Sequence, residues 1–200
     1  MSKNIHKLIA ALDKISKSIE KIQPSLENID EKIFSEYNCF IWKPRTNGLS
    51  PVKNVNKLDL DLLLGIDETK EILVKNTMHF ARGLPANNVL LWGSRGMGKS
   101  SLIKSVHSMV CKEIENKLCL IEVEKNHLDT LNELIQLLKK FNHKFIIFCD
   151  DLSFEESNNH YKSLKTILEG GVEEKPSNVI LYSTSNRRHL MPRNNINSSS

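Results

Sequence analysis

The chain has 200 residues, of which 40% are hydrophobic and 26% are charged, and its formal net charge is +4. These values are typical of an ordinary globular domain with an appendage, and the mild, interspersed charge does not by itself indicate nucleic-acid binding. The longest apolar runs, Val89–Trp92 and Phe145–Cys149, are far too short to cross a bilayer, and the N-terminus lacks the shape of a signal peptide. We therefore expect a cytoplasmic protein with no membrane partner.

The N-terminal region predicts a helical hairpin over residues 1–37. Apolar residues recur at three- and four-residue spacing over residues 3–22, which is typical of an amphipathic helix. Pro24 ends this helix, and Ser25 can cap a second, short helix through Ile33. We expect the hairpin to pack on the domain or on a partner, either a second copy or another protein. Its polar face mixes Lys with Asp and Glu, which disfavours a membrane-surface role.

Three further regions follow the hairpin. Residues 38–60 contain two prolines and a glycine and predict a linker, and Phe40 and Trp42 indicate that this linker docks against the rest of the chain. Residues 61–192 predict the main domain. The tail over 193–200 is polar apart from Ile196 and predicts disorder.

The main domain alternates strands with helices. A helix over 67–82, which Asp67 can cap, precedes short apolar runs that alternate with segments of helical spacing. The predicted strands are Val89–Trp92, Leu118–Val123, Phe145–Cys149 and Val179–Thr184, with helices at about 100–115, 127–141 and 160–169. This alternation favours an α/β fold, in which a parallel sheet is covered by helices on both faces.

The cysteines and histidines predict no metal site. The four cysteines, Cys39, Cys111, Cys119 and Cys149, include no CxxC pair, and two of them lie inside predicted core strands. We therefore expect buried, reduced thiols in preference to a disulfide or a metal site. The seven histidines show no metal-binding spacing either.

A glycine-rich loop between the first predicted strand and its helix fits the pattern G-x-x-x-x-G-K-[ST]. Such a loop turns backbone N–H groups toward phosphates, and the following helix N-terminus adds its own N–H groups and partial positive charge. Lys99 should reach the β- and γ-phosphates, and the Ser100 hydroxyl should ligate Mg²⁺. The predicted nucleotide-binding residues are Gly93, Ser94, Arg95, Gly96, Met97, Gly98, Lys99, Ser100 and Ser101.

An acidic pair ends the third predicted strand. Asp150 and Asp151 follow an apolar run downstream of the glycine loop, which is the Walker B pattern. Asp150 is predicted to hold Mg²⁺ beside Ser100, and Asp151 to polarise the water that attacks the γ-phosphate. The alternative is an ordinary helix cap after a strand.

Asn186 follows the fourth predicted strand and is placed to orient the lytic water or contact the γ-phosphate. Ligands of open α/β sheets bind at the carboxyl ends of the strands, where the glycine loop, the acidic pair and Asn186 all fall. Taken alone, Asn186 could equally be a turn residue. Arg187, Arg188 and Arg193 suit a phosphate sensor, an arginine finger acting on a neighbour, a nucleic-acid patch or a solvated basic loop.

These motifs resemble the P-loop, Walker B and sensor-1 motifs of the AAA+ ATPases. Three stretches, 87–93, 148–155 and 184–190, look like the bacterial AAA+ family catalogued as domain of unknown function 815, with a resemblance that covers about 40–192. It implies a three-layer αβα P-loop NTPase sheet in the order 5-1-4-3-2, counted from the P-loop strand, with ATP as the nucleotide and a tendency to form rings. It also implies that the segment around Ile66 lines the adenine pocket.

The chain departs from the AAA+ pattern in two places. Most AAA+ proteins have Glu where this chain has Asp151, which is one methylene shorter, so we expect slow hydrolysis or a different water geometry. The fifth strand, the lid with its sensor-2 arginine and the arginine-finger region of a full module are not within this sequence, so we expect a sheet in the order 1-4-3-2.

Three functions suit this sequence. The first is Mg²⁺-dependent hydrolysis of ATP to ADP and phosphate, with Lys99, Asp151 and Asn186 as the catalytic residues, coupled to an unknown partner or remodelling task. The second is an interaction module that binds ATP without hydrolysing it. The third is a small-molecule kinase on a P-loop fold, for which the sequence shows no acceptor pocket.

Overall fold

The computed structural model of the protein describes residues 14, 29–46, 48–56, 58–114, 118–152 and 176–186. The helix predicted over 160–169 lies outside these residues, as does all of the helix predicted over 3–22 apart from residue 14. Also outside them are residues 25–28 of the short helix predicted to end at Ile33, the tail, and the three arginines Arg187, Arg188 and Arg193. None of the helices in the described part of the chain has the length and apolar character needed to span a bilayer.

A single sheet of six strands forms the centre of the described structure, with neighbours in the order β2-β1-β4-β5-β6-β3. All neighbouring strands run parallel except β1 and β2, which are antiparallel. The strands are β1 Cys39–Lys43, β2 Gly48–Pro51, β3 Val89–Trp92, β4 Leu118–Glu122, β5 Lys144–Cys149 and β6 Val179–Ser185.

The predicted fold class is confirmed. The four predicted strands correspond to β3, β4, β5 and β6, and their order in the sheet, β3-β6-β5-β4, is the predicted order 1-4-3-2. Strand β6 therefore lies between the strand that precedes the glycine loop and the strand that precedes the acidic pair. Their apolar runs are the pattern expected of parallel strands that are covered on both faces.

The prediction of a linker over 38–60 is wrong for the residues that form β1 and β2. Strand β1 extends the sheet beyond β4, with Phe40 opposite Ile121, and β2 pairs back onto β1. The sequence pattern of these two strands is weak, because each strand has at most five residues and a proline ends β2. Phe40 and Trp42, the aromatic residues that indicated docking, are fully buried strand residues.

Helices flank the sheet. The helices predicted from 67 and from about 100 begin within one residue of those positions, whereas the short helix predicted to end at Ile33 begins there and the helix predicted from about 127 begins at Leu131. The α-helices are α1 Ile33–Glu36, α2 Asp67–Ala81, α3 Lys99–Glu113 and α4 Leu131–Leu138, with short 3-10 helices at Leu60–Leu62 and Lys125–Thr130. The predicted cap at Asp67 differs from the structure, because Ile66 is the N-cap residue and Asp67 is the first residue of α2. A carboxylate in the first turn still interacts favourably with the helix dipole.

Two hydrophobic cores lie on the two faces of the sheet. One contains α1, α4 and the strand residues that face them, with Trp42 and Phe34 as its largest side chains. The other contains α2 and α3 with alternate strand residues such as Tyr182 and Phe148. Because successive strand residues point to opposite faces, β5 contributes Phe145 to the first core and Phe148 to the second.

Trp42 provides a test of whether β1 is an integral part of the domain. Its side chain has no exposed surface, and its Nε1–H donates to Thr130 Oγ1 at 2.8 Å. We predict that Trp42→Ala lowers the free energy of unfolding by about 3–5 kcal/mol, measured by urea denaturation. Trp92→Ala is the matched control, because Trp92 is 55% exposed, and it should have a clearly smaller effect. Equal effects of the two substitutions would contradict an integral β1.

None of the four cysteines forms a disulfide, and all four are buried. Burial raises the pKa of Cys149 from 9.0 to about 12, and burial, with Cys111 and Cys39 nearby, also raises the pKa of Cys119. Because the folded pKa lies above the unfolded one, these thiols stabilise the fold fully below pH 9.0, and that contribution is lost as the pH rises toward the folded pKa.

This burial predicts the reactivity of the thiols. In the native protein all four cysteines should stay unmodified by a thiol-specific alkylating reagent at both pH 8 and pH 10, since reaction requires an accessible thiolate (ordinary cysteine pKa about 8.5). In urea the same reagent should modify all four, faster at pH 10. Mass spectrometry after quenching gives the count, and modification of native Cys119 or Cys149 at the unfolded rate would contradict the prediction.

Candidate functional site

The parallel register brings four strand ends to one edge of the sheet. Glu122 of β4 lies opposite Phe148 of β5, and beyond these strand ends the Lys125 Nζ lies 3.1 Å from Asp151 Oδ2. Strand β6 continues to Ser185, whose carbonyl oxygen accepts a hydrogen bond from the Gly93 N–H at 3.2 Å. The residues that follow β3, β4, β5 and β6 therefore meet along one line, as expected for carboxyl ends of parallel strands.

The glycine loop owes its shape to left-handed backbone. Gly96 and Gly98 have φ values of 81° and 75°, which residues with a Cβ rarely adopt. At Gly98 a Cβ would also lie 3.1 Å from Leu63 Cδ2, so that position is restricted by its neighbour as well. Helix α3 begins immediately after Gly98, whose carbonyl oxygen accepts the Leu102 N–H at 2.8 Å. The first N–H groups of α3 are thus directed toward the loop.

The Lys99 ammonium group lies within the loop that it follows. Its Nζ donates to the carbonyl oxygens of Gly93 and Ser94, each at 2.8 Å, and to Asn186 Oδ1 at 3.3 Å. An ammonium group has three N–H donors, and these three acceptors match that number. Lys99 and Asn186, predicted separately from two motifs, are therefore in direct contact.

Asp150 is joined to the start of α3. The Ser100 hydroxyl donates to Asp150 Oδ1 at 2.5 Å, and the Thr184 hydroxyl donates to the same oxygen at 2.5 Å. The predicted pair of Ser100 and Asp150 is thus brought together across 50 residues of sequence. Hydrogen bonds to a charged acceptor are short and strong, so this carboxylate is firmly held.

Asp151 has an unusual backbone and a dense set of partners. Its φ is 50°, the left-handed region that few residues other than glycine adopt. Its Oδ1 accepts a hydrogen bond from the Asn186 amide, and its Oδ2 lies 3.1 Å from Lys125 Nζ and 3.9 Å from an Arg95 guanidinium nitrogen. The carboxylate is thus oriented by one amide and two cations. A strained residue with a fixed side chain is frequent at functional sites.

A cleft of about 340 Å³ opens between the glycine loop and the acidic turn. Most of the predicted site residues line it, and Thr184 does so as well. Gly93 and Ser94 are not among the lining residues and instead accept hydrogen bonds from Lys99. Ile66, which was predicted to contact adenine, packs against the core on the α2 and α3 face. The lining residues are Arg95, Gly96, Met97, Gly98, Lys99, Ser100, Ser101, Asp150, Asp151, Thr184 and Asn186.

Two residues of the site were missed from the sequence. Lys125 is one of many lysines, and only the strand register shows that it faces Asp151. Thr184 lies inside a predicted strand, where a threonine is ordinary. The available signal was the run Ser183-Thr184-Ser185, three hydroxyl residues at the end of an apolar strand, all of which are buried. Buried hydroxyls require partners, so such a run indicates a polar neighbour.

The residues present fit a nucleotide with Mg²⁺. Two hard oxygen donors, the Ser100 hydroxyl and the Asp150 carboxylate, lie 2.5 Å apart at the cleft, and hard oxygen ligands are those that Mg²⁺ prefers. The loop supplies backbone N–H groups, with Lys99 and Arg95 as cations for a triphosphate. No cluster of His, Cys, Asp and Glu that could hold a metal by itself occurs in the described part of the chain.

The sheet order and the loop between β3 and α3 define an AAA+-like P-loop fold. The chain belongs to the family described as "Protein of unknown function (DUF815)", whose model matches residues 35–200. Among curated proteins, none matches the chain.

Several solved structures are similar to part of the chain. RuvB of Thermotoga maritima, described as a Holliday junction branch migration motor, is 18% identical over 67% of this chain and 43% of its own, with a TM-score of 0.47. ORC1 of Aeropyrum pernix in complex with DNA is 16% identical over 62% and 39%, with a TM-score of 0.49. PCH-2 of C. elegans is 18% identical over 66% and 38%, with a TM-score of 0.47. The chain thus spans less than half the length of these proteins.

The left-handed backbone at Asp151 makes a prediction about stability. Both Asp151→Gly and Asp151→Ala remove the carboxylate, but only glycine adopts a positive φ without a steric penalty. We expect the Gly variant to exceed the Ala variant in free energy of unfolding by about 1 kcal/mol, measured by urea denaturation.

Asp129, an exposed residue of a 3-10 helix, is the matched control position. There the order should reverse, because glycine in a regular helix is less favourable than alanine. An Ala variant at 151 that is as stable as the Gly variant would show that position 151 is not left-handed in solution.

Proposed function

We propose that this protein binds ATP with Mg²⁺ and hydrolyses it to ADP and phosphate. The observation that carries the proposal is the linkage of three separate sequence motifs in one cleft: Ser100 with Asp150, Lys99 with Asn186, and Asn186 with Asp151. A cleft that only bound phosphate would have no use for the second carboxylate. Placed opposite the P-loop lysine, Asp151 is suited to act on a water molecule.

The glycine loop and Lys99 are proposed to hold the phosphates. A triphosphate in the cleft offers Lys99 anionic acceptors in place of the two loop carbonyl oxygens that it contacts now. Hydrogen bonds between charged groups are roughly twice as strong as those to neutral acceptors, so this exchange favours binding. The exposed guanidinium of Arg95 is close enough to Asp151 to contact the γ-phosphate from the other side of the loop.

Ser100 and Asp150 are the residues proposed to hold Mg²⁺. The ion, when bound with ATP, neutralises charge that develops on the phosphate oxygens. The hydroxyl and the carboxylate are already in contact, so little rearrangement is needed to present both oxygens to one ion. Because positioning and electrostatics supply most of the catalysis in such sites, this preorganisation is central to the proposal.

Asp151 and Asn186 are proposed to act on the attacking water. Asp151 would accept a proton as the water oxygen bonds to the γ-phosphorus and the bond to the β–γ bridging oxygen breaks, with ADP leaving. Asn186 contacts both Asp151 and Lys99. Its amide can therefore hold Asp151, the proposed base, at a fixed position relative to the lysine that binds the phosphates. These roles follow from the contacts of the two side chains and their place at the strand ends.

A second candidate function is nucleotide binding without turnover. The observation that favours it is the saturation of Asp151, whose two carboxylate oxygens contact Asn186, Lys125 and Arg95. A carboxylate whose two oxygens already contact three partners is less available to accept a hydrogen bond from a water molecule. In that case the bound nucleotide would act as a ligand that stabilises one conformation for a partner.

Binding and hydrolysis can be separated with two variants and one control. Lys99→Ala should weaken Mg-ATP binding by about ten- to a hundredfold, since it removes charge-assisted hydrogen bonds. Asp151→Asn keeps the shape of the side chain and should leave affinity within about threefold, while phosphate release falls by about 10²–10⁴-fold. Lys112→Ala, an exposed lysine at the end of the same helix as Lys99, should change neither.

Calorimetric titration gives the affinity, and release of inorganic phosphate gives the rate. Tight Mg-ATP binding with no phosphate release above that of Asp151→Asn would replace hydrolysis with the second candidate function. Absence of any binding that depends on Lys99 would contradict both functions. Transfer of the phosphoryl group to an added small-molecule acceptor, in place of free phosphate, would indicate a kinase.

A further inference from the structure

Thr184 binds three consecutive residues of the acidic turn. Its hydroxyl donates to Asp150 Oδ1 at 2.5 Å and accepts the Asp151 N–H at 2.7 Å. Its carbonyl oxygen accepts the Leu152 N–H at 2.7 Å. The side chain is almost fully buried, with 1% of its surface exposed. One residue of β6 thus fixes the positions of both carboxylate-bearing residues and of the residue after them.

The hydroxyl of Thr184 is fully committed to this turn. A hydroxyl has a single O–H donor, and here that donor is directed at the carboxylate of Asp150. The accepted N–H belongs to the residue with positive φ, where the regular strand ladder has ended. A buried N–H without a partner would be costly, so Thr184 also offsets part of the strain at Asp151.

We propose that Thr184 is a positioning residue that orients Asp150 for the Mg²⁺ ion of the bound nucleotide. This inference rests on the proposed function, since it concerns the same site. Ser100 in helix α3 and Thr184 in strand β6 both donate to the same oxygen of Asp150. Together they restrict rotation of the carboxylate. Mg²⁺ demands near-octahedral geometry, so a carboxylate that rotates freely is a poorer ligand than one that is held.

The location of Thr184 separates this role from general support of the sheet. Ser183, its neighbour on β6, is equally buried, but its hydroxyl donates to the carbonyl oxygen of Val89 at 3.2 Å and contacts neither carboxylate. The two residues differ in partner and not in burial. A substitution at Ser183 therefore measures the effect of losing a buried hydroxyl from the same strand.

The test compares nucleotide affinity with and without Mg²⁺ in the full chain. Thr184→Val removes the hydroxyl and keeps the shape, whereas Thr184→Ser keeps the hydroxyl. ATP affinity is measured by calorimetric titration in excess Mg²⁺ and in EDTA. We define the Mg²⁺ ratio as the ATP affinity in excess Mg²⁺ divided by the ATP affinity in EDTA. This ratio should fall by about tenfold or more in Thr184→Val, as for other residues that orient metal ligands. It should stay within about threefold of wild type in Thr184→Ser and Ser183→Ala, because both keep the bond to Asp150.

Thr184→Ala provides a second comparison if the valine variant fails to fold. Thr184→Ser and Thr184→Ala differ only in the hydroxyl, so the Mg²⁺ ratio should be about tenfold or more lower in the alanine variant than in the serine variant. A ratio that is unchanged on loss of the hydroxyl in both comparisons would overturn the role of Thr184 while leaving the proposed function intact. An equal fall in Ser183→Ala would also overturn it, because the effect would then be general. A wild-type chain that binds no ATP would overturn the proposed function and this inference together.

Discussion

The site depends on the register of the parallel sheet. Hydrogen bonds between β4, β5, β6 and β3 fix which residues lie at the same height, and the side chains that follow each strand inherit that alignment. Lys125, Asp151, Asn186 and Gly93 come from four separate parts of the chain, yet the ladder brings them to the same edge of the sheet. A slip of one residue in any strand would reverse the faces of its side chains. The two cores resist such slips, because the central strands β4, β5 and β6 supply apolar residues to both.

Local strain at the acidic turn is balanced by the strand beside it. Asp151 adopts a left-handed backbone, which costs on the order of 1–3 kcal/mol for a residue with a side chain. The end of β6 offsets this with three hydrogen bonds. The hydroxyl and carbonyl oxygen of Thr184 accept the Asp151 and Leu152 N–H groups, and the Ser185 hydroxyl donates to the Leu152 carbonyl oxygen at 2.7 Å. The turn is therefore held by β6, the strand that separates it from the glycine loop.

Much of the fold follows from the sequence, because it rests on local patterns. Apolar runs of strand length located β3, β4, β5 and β6, and the glycine loop between β3 and α3 has a spacing that few structures other than a phosphate loop use. Strands β1 and β2 were missed because they are short, and what makes them strands is pairing with distant residues. Contacts such as that of Lys125 with Asp151 depend on three-dimensional alignment, so no pattern of neighbours in the sequence reveals them. Resemblance to a known family supplied the strand order, which composition and spacing do not give.

The buried hydroxyls at the end of β6 make the candidate site a part of the core. Ser183, Thr184 and Ser185 are each no more than 1% exposed, and their partners include the acidic turn and the strand before the glycine loop. Substitution of Asp150 would leave the donor of the Thr184 hydroxyl without its partner in a buried position. Evolutionary decay of the site would therefore reduce the abundance of the folded protein as well as its chemistry. Selection for a folded chain alone would help to preserve the arrangement of the site.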